Sequence, residues 1–107
     1  MASAFVLTGG SRSQLGLLEQ ARALGHEVCV VDGSERAPLL EEADHAIVRS
    51  FTDVGGVVND LEQRGIEAIA VATMGSDQAV LPTAQLAERL GLPGLPVETA
   101  RTVADKR

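Results

Sequence analysis

The stretch Ala4-Phe5-Val6-Leu7-Thr8-Gly9-Gly10-Ser11-Arg12-Ser13-Gln14-Leu15 decides the fold class. Ala4 to Thr8 form an apolar run without alternation, the pattern of a strand covered on both faces. Gly9-Gly10 end that strand in a turn. Ser11 and Gln14 have the spacing of a capping box, with Ser11 as N-cap and Gln14 at the third helical position. The helix that follows is expected to bury Leu15, Leu18, Ala21 and Leu24. Gly25 stops it.

The same alternation continues along the chain. Val28-Cys29-Val30-Val31 reads as a second strand, ended by Asp32-Gly33. Ala37 to Ala43 reads as a short helix started by Pro38, and Ala46-Ile47-Val48 as a short third strand. A helix from about Asp53 to Arg64 carries Val54, Val57, Val58 and Leu61 on one face, and Gly65 closes it. Ala68 to Ala72 is the fourth strand, and Thr73 to Asp77 the loop after it. The next helix sets Val80, Leu81, Ala84, Ala87 and Leu90 on one side, with Pro82 in its first turn and Gly91 and Pro93 at its end. Pro96 and Glu98 suit the first turn of a last short helix reaching about Asp105.

Short strands alternating with helices imply a parallel sheet with helices on both faces. Right-handed crossovers are nearly obligatory, and the expected strand order is 3-2-1-4, in which the chain winds one way and then returns past the first strand. The expected architecture is α/β: one Rossmann-like three-layer domain with a four-stranded parallel sheet, spanning residues 1–107.

Composition narrows the function. The chain has 107 residues, enough for one domain with its own core. Hydrophobic residues make up 45 %, and the only aromatics are Phe5 and Phe51, so the core is aliphatic. A net charge of −6, scattered basic residues and almost no rings for base stacking exclude nucleic acid as a partner. The apolar runs are far short of a membrane span, and Met1-Ala2-Ser3-Ala4 has none of the basic character of a signal peptide. Cys29 stands alone, which rules out an internal disulfide and speaks against a structural zinc site. The expected setting is the cytoplasm. A second copy of the chain is among the partners composition allows.

In an open α/β sheet the ligand crevice lies beyond the carboxyl ends of the strands, where the strand order reverses. In the order 3-2-1-4 that point is between strands 1 and 4. The loops there are Gly9-Gly10-Ser11-Arg12-Ser13-Gln14 and Thr73-Met74-Gly75-Ser76-Asp77. The candidate substrate-binding residues are therefore Gly9, Gly10, Ser11, Gln14, Met74, Gly75, Ser76 and Asp77. Glycine backbone and a helix N-terminus suit an anionic group, held by Gly10 and Ser11. Asp77 suits a polar or amino group. Asp32 ends strand 2 about 22 residues after Gly10, where dinucleotide-binding proteins hold ribose hydroxyls. The glycines do not spell G-x-G-x-x-G, and an aspartate at a strand end more often caps the next turn. His26 and His45 are scattered and meet no cysteine, so no metal site is expected. The run Glu41-Glu42-Ala43-Asp44 reads as a solvated helix end. No serine, histidine and acid are brought together for nucleophilic catalysis.

In this order and spacing the motifs resemble a known family. They are Gly9-Gly10 with Gln14-Leu15-Gly16, Ala23-Leu24-Gly25-His26-Glu27-Val28, Val31-Asp32, Ala37-Pro38 and Ala43-Asp44, then Gly75-Ser76-Asp77. Leu86-Ala87-Glu88-Arg89-Leu90-Gly91-Leu92-Pro93-Gly94 and Ala100-Arg101 with Asp105-Lys106 follow. The chain resembles the N-terminal, pre-ATP-grasp domain of ATP-grasp ligases. The likeness is to the branch of the carbamoyl-phosphate synthetase large subunit and the carboxylate–amine ligases. Gly9 to Gln14 is longer than the compact Gly-Gly-Gly-Gln loop of some relatives.

The resemblance implies a ligase that phosphorylates a carboxylate to an acyl phosphate, which an amine then attacks. It implies ATP and magnesium for the full-length enzyme and no cofactor in this chain. The N-terminal domain would contribute the loops after strands 1 and 4 to the substrate site. In such enzymes the Asp-Lys pair opens the ATP-binding part, whereas here Asp105-Lys106-Arg107 is the end of the sequence. The expectation is a domain not catalytic by itself. An ATP-grasp domain, in cis or in trans, and a small carboxylate or amine substrate are its partners. The rival expectation is a stand-alone nucleotide- or small-metabolite-binding module with a regulatory role.

Overall fold

In the computed structural model, residues 2–74, 77–93, 97 and 99–100 are described, with the side chain of Asp77 outside that description. Four strands form one parallel sheet: β1 (Ala2–Thr8), β2 (Glu27–Asp32), β3 (His45–Val48) and β4 (Ile66–Ala72). Their order is β3-β2-β1-β4, with every pairing parallel. β1 and β4 start earlier than their apolar runs because Ala2 pairs with Ile66 and Ser3 with Glu67. The β1–β4 register slips once, between Ala4 and Phe5.

Helices α1 (Leu15–Ala23), α2 (Val54–Gln63) and α3 (Val80–Arg89) cover the sheet. Alternation along each strand sends side chains to opposite faces. On one face Leu7, Val28 and Val30 meet Leu18 and Ala21 of α1 together with Leu39 and Leu40. On the other, Ala4, Val6, Cys29, Val31 and Ile47 meet Val57 and Leu61 of α2 and Leu86 of α3. The result is the expected three-layer α/β domain.

Several local readings are corrected. Leu24 is 69 % exposed rather than buried, because α1 ends at Ala23 and Leu24 occupies the C-cap turn before Gly25 at φ +87°. Helix between Ala37 and Ala43 shrinks to the 3-10 turn Pro38–Leu40. The Leu39 carbonyl accepts from both Glu42 and Ala43, which turns the chain toward β3. α3 buries Pro82 and Leu86 along with Ala84 and Ala87, whereas Val80, Leu81 and Leu90 are only half-buried. Asp44 is not merely solvated: its carboxylate accepts the Val28 N–H at 2.8 Å and faces Arg22 at 3.7 Å, which fixes the start of β2. The expected helix from Pro96 to Asp105 lies largely outside the described residues, with Val97, Thr99 and Ala100 helical.

Ion pairs finish the rim. Asp53 caps α2 by accepting the Gly56 N–H at 3.1 Å, and Arg49 ties Asp53 at 2.8 Å to Asp60 at 2.6 Å. Hydrogen bonds from the Arg49 guanidinium and the Gly56 N–H hold the Asp53 carboxyl below the ordinary aspartate range. His45 begins β3 and meets Glu27 at 2.8 Å. Cys29 is fully buried, and desolvation pushes its thiol up to about 11.

Candidate functional site

The carboxyl ends of β1 and β4 lie side by side, so the loops after them are neighbours as the strand order requires. The first loop leaves β1 through Gly9, whose φ of +111° is a conformation L side chains rarely adopt. Its N–H is given to the Val31 carbonyl at 2.7 Å. Gly10 then passes between β2 and the 3-10 turn at Pro38. A Cβ there would stand 3.0 Å from the Ala37 Cβ and 3.1 Å from Val30 Cγ1. Its N–H donates to Asp32 Oδ2 at 2.8 Å, and its carbonyl accepts from the Leu39 N–H at 2.9 Å. Both glycines are thus explained by the turn itself. The Gly10 N–H is taken up by a carboxylate within the protein.

Asp32 uses both carboxylate oxygens on backbone, Oδ2 on Gly10 and Oδ1 on the Ser34 N–H at 2.8 Å. This is the turn-capping geometry of an aspartate at a strand end.

The capping box does not form. Ser11 has the extended N-cap backbone but makes no side-chain cap bond; its hydroxyl pairs with the Ser13 hydroxyl at 2.7 Å. Arg12–Gln14 make a 3-10 turn ahead of α1. Gln14 turns inward and is fully buried. Its Nε2 donates to Thr73 Oγ1 at 3.0 Å and to the Thr8 carbonyl at 3.4 Å, and its Oε1 accepts the Met74 N–H at 2.9 Å. Ser13 Oγ donates to the Met74 carbonyl at 3.4 Å. Ser11, Arg12, Ser13 and Met74 are the exposed surface of this junction.

Three residues the sequence reading left out complete the arrangement. Thr73 Oγ1 donates to the Thr8 carbonyl at 2.9 Å, and the buried Thr8 hydroxyl donates to the Ala72 carbonyl at 3.3 Å. Thr8 has only that one proton, so the hydrogen bond between the Thr8 and Thr83 hydroxyls is donated by Thr83. Thr8 is the last residue of β1 and Thr73 the first after β4, a signal available in the sequence; Thr83 gives none. A cleft of about 270 Å³ opens between the end of β4 and α3, walled by Val71, Val80, Ala84 and Ala87 with Thr73 and Thr83 at its polar side. It adjoins Thr73 without reaching the loop of Gly9 to Ser13. Gly75 and Ser76 lie outside the described residues, and Asp77 opens the 3-10 turn Asp77–Ala79 ahead of α3. Among the described residues no three His, Cys, Asp or Glu side chains gather as metal ligands.

The family model described as the ATP-grasp N-terminal domain matches residues 18–94, well over half of the sequence. The chain belongs to the ATP-grasp N-terminal domain family. Solved structures agree in fold. Phosphoribosylglycinamide synthetase from Anaerococcus prevotii superposes with a TM-score of 0.78 at 24 % identity, over 97 % of this chain and 26 % of that one. N5-carboxyaminoimidazole ribonucleotide synthetase from Thermotoga maritima gives 0.67 at 19 % identity, over 96 % of this chain and 26 % of that one. The chain thus spans about a quarter of the length of these enzymes. The NAD complex of the Bordetella bronchiseptica enzyme WbmG gives 0.64 at 15 % identity, over 98 % of this chain and 48 % of that one. No curated protein matches in sequence. Among the described residues no helix is long and apolar enough to cross a membrane.

Proposed function

We propose that this chain is the substrate-contacting N-terminal domain of a ligase that joins a carboxylate to an amine, and that it is not catalytic by itself. In the reaction proposed, a carboxylate oxygen attacks the γ-phosphorus of ATP and ADP leaves. The amine nitrogen then attacks the acyl carbon, loses a proton, and phosphate leaves. Magnesium and the nucleotide are assigned to an ATP-grasp domain, in cis or in trans, as membership of the family suggests.

One observation carries the reading: in a member of the ATP-grasp N-terminal family, the loops after β1 and β4 are bonded to each other at the switch point of the sheet. Ligands of open α/β sheets sit at that point. The chain offers there the guanidinium of Arg12 and the exposed hydroxyls of Ser11 and Ser13, which would turn from each other and from the Met74 carbonyl to donate to an anionic substrate group. Asp77 is assigned the polar or amino group. Met74, Gly75 and Ser76 are assigned further contacts to the substrate. Gly9, Gly10 and Gln14 serve the site by shaping it. The stand-alone nucleotide-binding reading is weakened by Asp32, whose two oxygens already hold the Gly10 and Ser34 backbone.

The test uses the natural protein that carries this sequence, given ATP, magnesium and panels of small carboxylates with ammonia or amines, with ADP release as readout. A matched carboxylate and amine should release ADP. Ser11→Ala with Ser13→Ala should then raise the substrate KM about tenfold and change kcat less. Absence of ADP release with every pair, or a KM unchanged in the serine variant and in Asp77→Ala, would refute the assignment.

A further inference from the structure

We infer that Gln14 is a positioning residue, whose carboxamide clasps Thr73 and Met74, where the chain leaves β4, onto the end of β1. The argument is a count of protons. A carboxamide has two N–H donors and one acceptor oxygen. In Gln14 one donor goes to Thr73 Oγ1, the other to the Thr8 carbonyl, and the oxygen takes the Met74 N–H. Thr73 donates its own proton to the same Thr8 carbonyl, which closes a ring of Thr8, Gln14, Thr73 and Met74.

Every group facing the carboxamide in that ring is neutral: a carbonyl, a hydroxyl and a backbone N–H. Glutamate would lack the donors and turn lone pairs on the Thr8 carbonyl. Leucine would leave the Met74 N–H and the Thr8 carbonyl without this partner, and asparagine is one methylene short. Gln14 is fully buried, so in this arrangement it acts on a ligand only through the loops it joins.

Met74 is where the clasp takes effect. Its N–H is held by Gln14 and its carbonyl by Ser13, the residue before Gln14. The β4 loop therefore leaves the sheet from a point fixed at both ends by the β1 loop. The clasp is a property of the chain alone; only its consequence for substrate rests on the ligase reading.

The experiment is amide hydrogen exchange on the 107-residue chain, read as the protection factor of the Met74 N–H. Gln14→Leu should lower it by about tenfold or more, and Thr73→Val by about threefold, with the Val6 and Val30 amides of the sheet within about twofold of the parent. Thr73→Ser restores the hydroxyl and should restore protection. Met74 exchange unchanged in both Gln14→Leu and Thr73→Val, or Thr73→Ser as poor as Thr73→Val, overturns the inference. If Gln14→Leu does not fold, the Val and Ser pair at Thr73 decides alone. In the natural protein, Thr73→Val should raise the substrate KM and Thr73→Ser return it. A clasp seen by exchange with KM unmoved would count against the ligase reading and leave the clasp standing.

Discussion

The carboxylate of Asp32 accepts the backbone N–H of Gly10 at 2.8 Å, joining the ends of β1 and β2 through one side chain. The same carboxylate holds Ser34 at 2.8 Å. A hydrogen bond to a charged group contributes roughly 1.5–3 kcal/mol, and a half-buried site sits toward the lower end. Asp32→Ala should lower unfolding stability by about 1–3 kcal/mol, and Asp32→Asn by about half as much, because an amide oxygen still accepts one N–H. Urea unfolding followed by far-UV circular dichroism measures both, since the chain has no Trp or Tyr to report by fluorescence. Full stability in Asp32→Ala would mean that the turn does not depend on the carboxylate.

Glycines separate by environment. Gly9→Ala forces a side chain onto φ +111°, and Gly10→Ala drives a methyl to 3.0 Å from the Ala37 Cβ. Each should cost about 1–3 kcal/mol. Gly16 lies in α1 with nothing within 4 Å of an added Cβ. Gly16→Ala should stabilise by about 0.5–1 kcal/mol. The three midpoints in one denaturant series check this ranking.

Cys29 supplies a pH dependence on the alkaline side. Its thiol is raised from 9.0 to about 11 by burial in the sheet. A group raised in the folded state contributes stability fully present below the unfolded value and lost as pH climbs toward the folded one. Stability should therefore fall between pH 9.0 and about 11, by roughly 2–3 kcal/mol at the top of that window. Cys29→Ala should flatten this limb while lowering stability at neutral pH through the cavity it leaves. Thiol reagents should label the native chain only as it unfolds.

Asp53 gives the acid limb. Arg49 and the Gly56 N–H hold its carboxyl below the ordinary 3.8, so its contribution is present above that value and lost as pH falls below it. Asp53→Asn should remove this dependence, and Arg49→Ala should reduce it. Unfolding midpoints from neutral pH down to about 3 would show it, and an identical acid limb in Asp53→Asn would contradict it.

The sheet was readable because each strand is a short aliphatic run between glycine or polar punctuation, as in Phe5-Val6-Leu7 and Val28-Cys29-Val30-Val31. The order 3-2-1-4 is the one in which the chain winds one way and returns past β1, and the proximity of the two loops followed from the order. Side-chain direction was not readable. Ser11 and Gln14 have capping-box spacing, yet the 3-10 turn at Arg12–Gln14 rotates Gln14 under β1, where Thr8, Thr73 and Met74 offer three partners against the one of a cap. Gly10 read as an anion contact because a glycine gives the same signal for close ligand approach and for close packing. The packing of Ala37 and Val30 against Gly10 and the Asp32 carboxylate on its N–H, all set by the tertiary fold, separate the two. Leu24 followed the helical period past the point where Gly25 had already ended the helix.

The central claim is that this domain works as the substrate-contacting part of an ATP-dependent ligase. The most direct measurement is the intact mass and composition of the natural species, captured from its own cells with an antibody to this domain. The account predicts a polypeptide several-fold heavier than 11.1 kDa, or an 11.1 kDa chain held by a partner bearing an ATP-grasp domain, and in either case ATP-dependent ADP release. A free 11.1 kDa chain with no such partner, binding NAD at micromolar concentration, would contradict it.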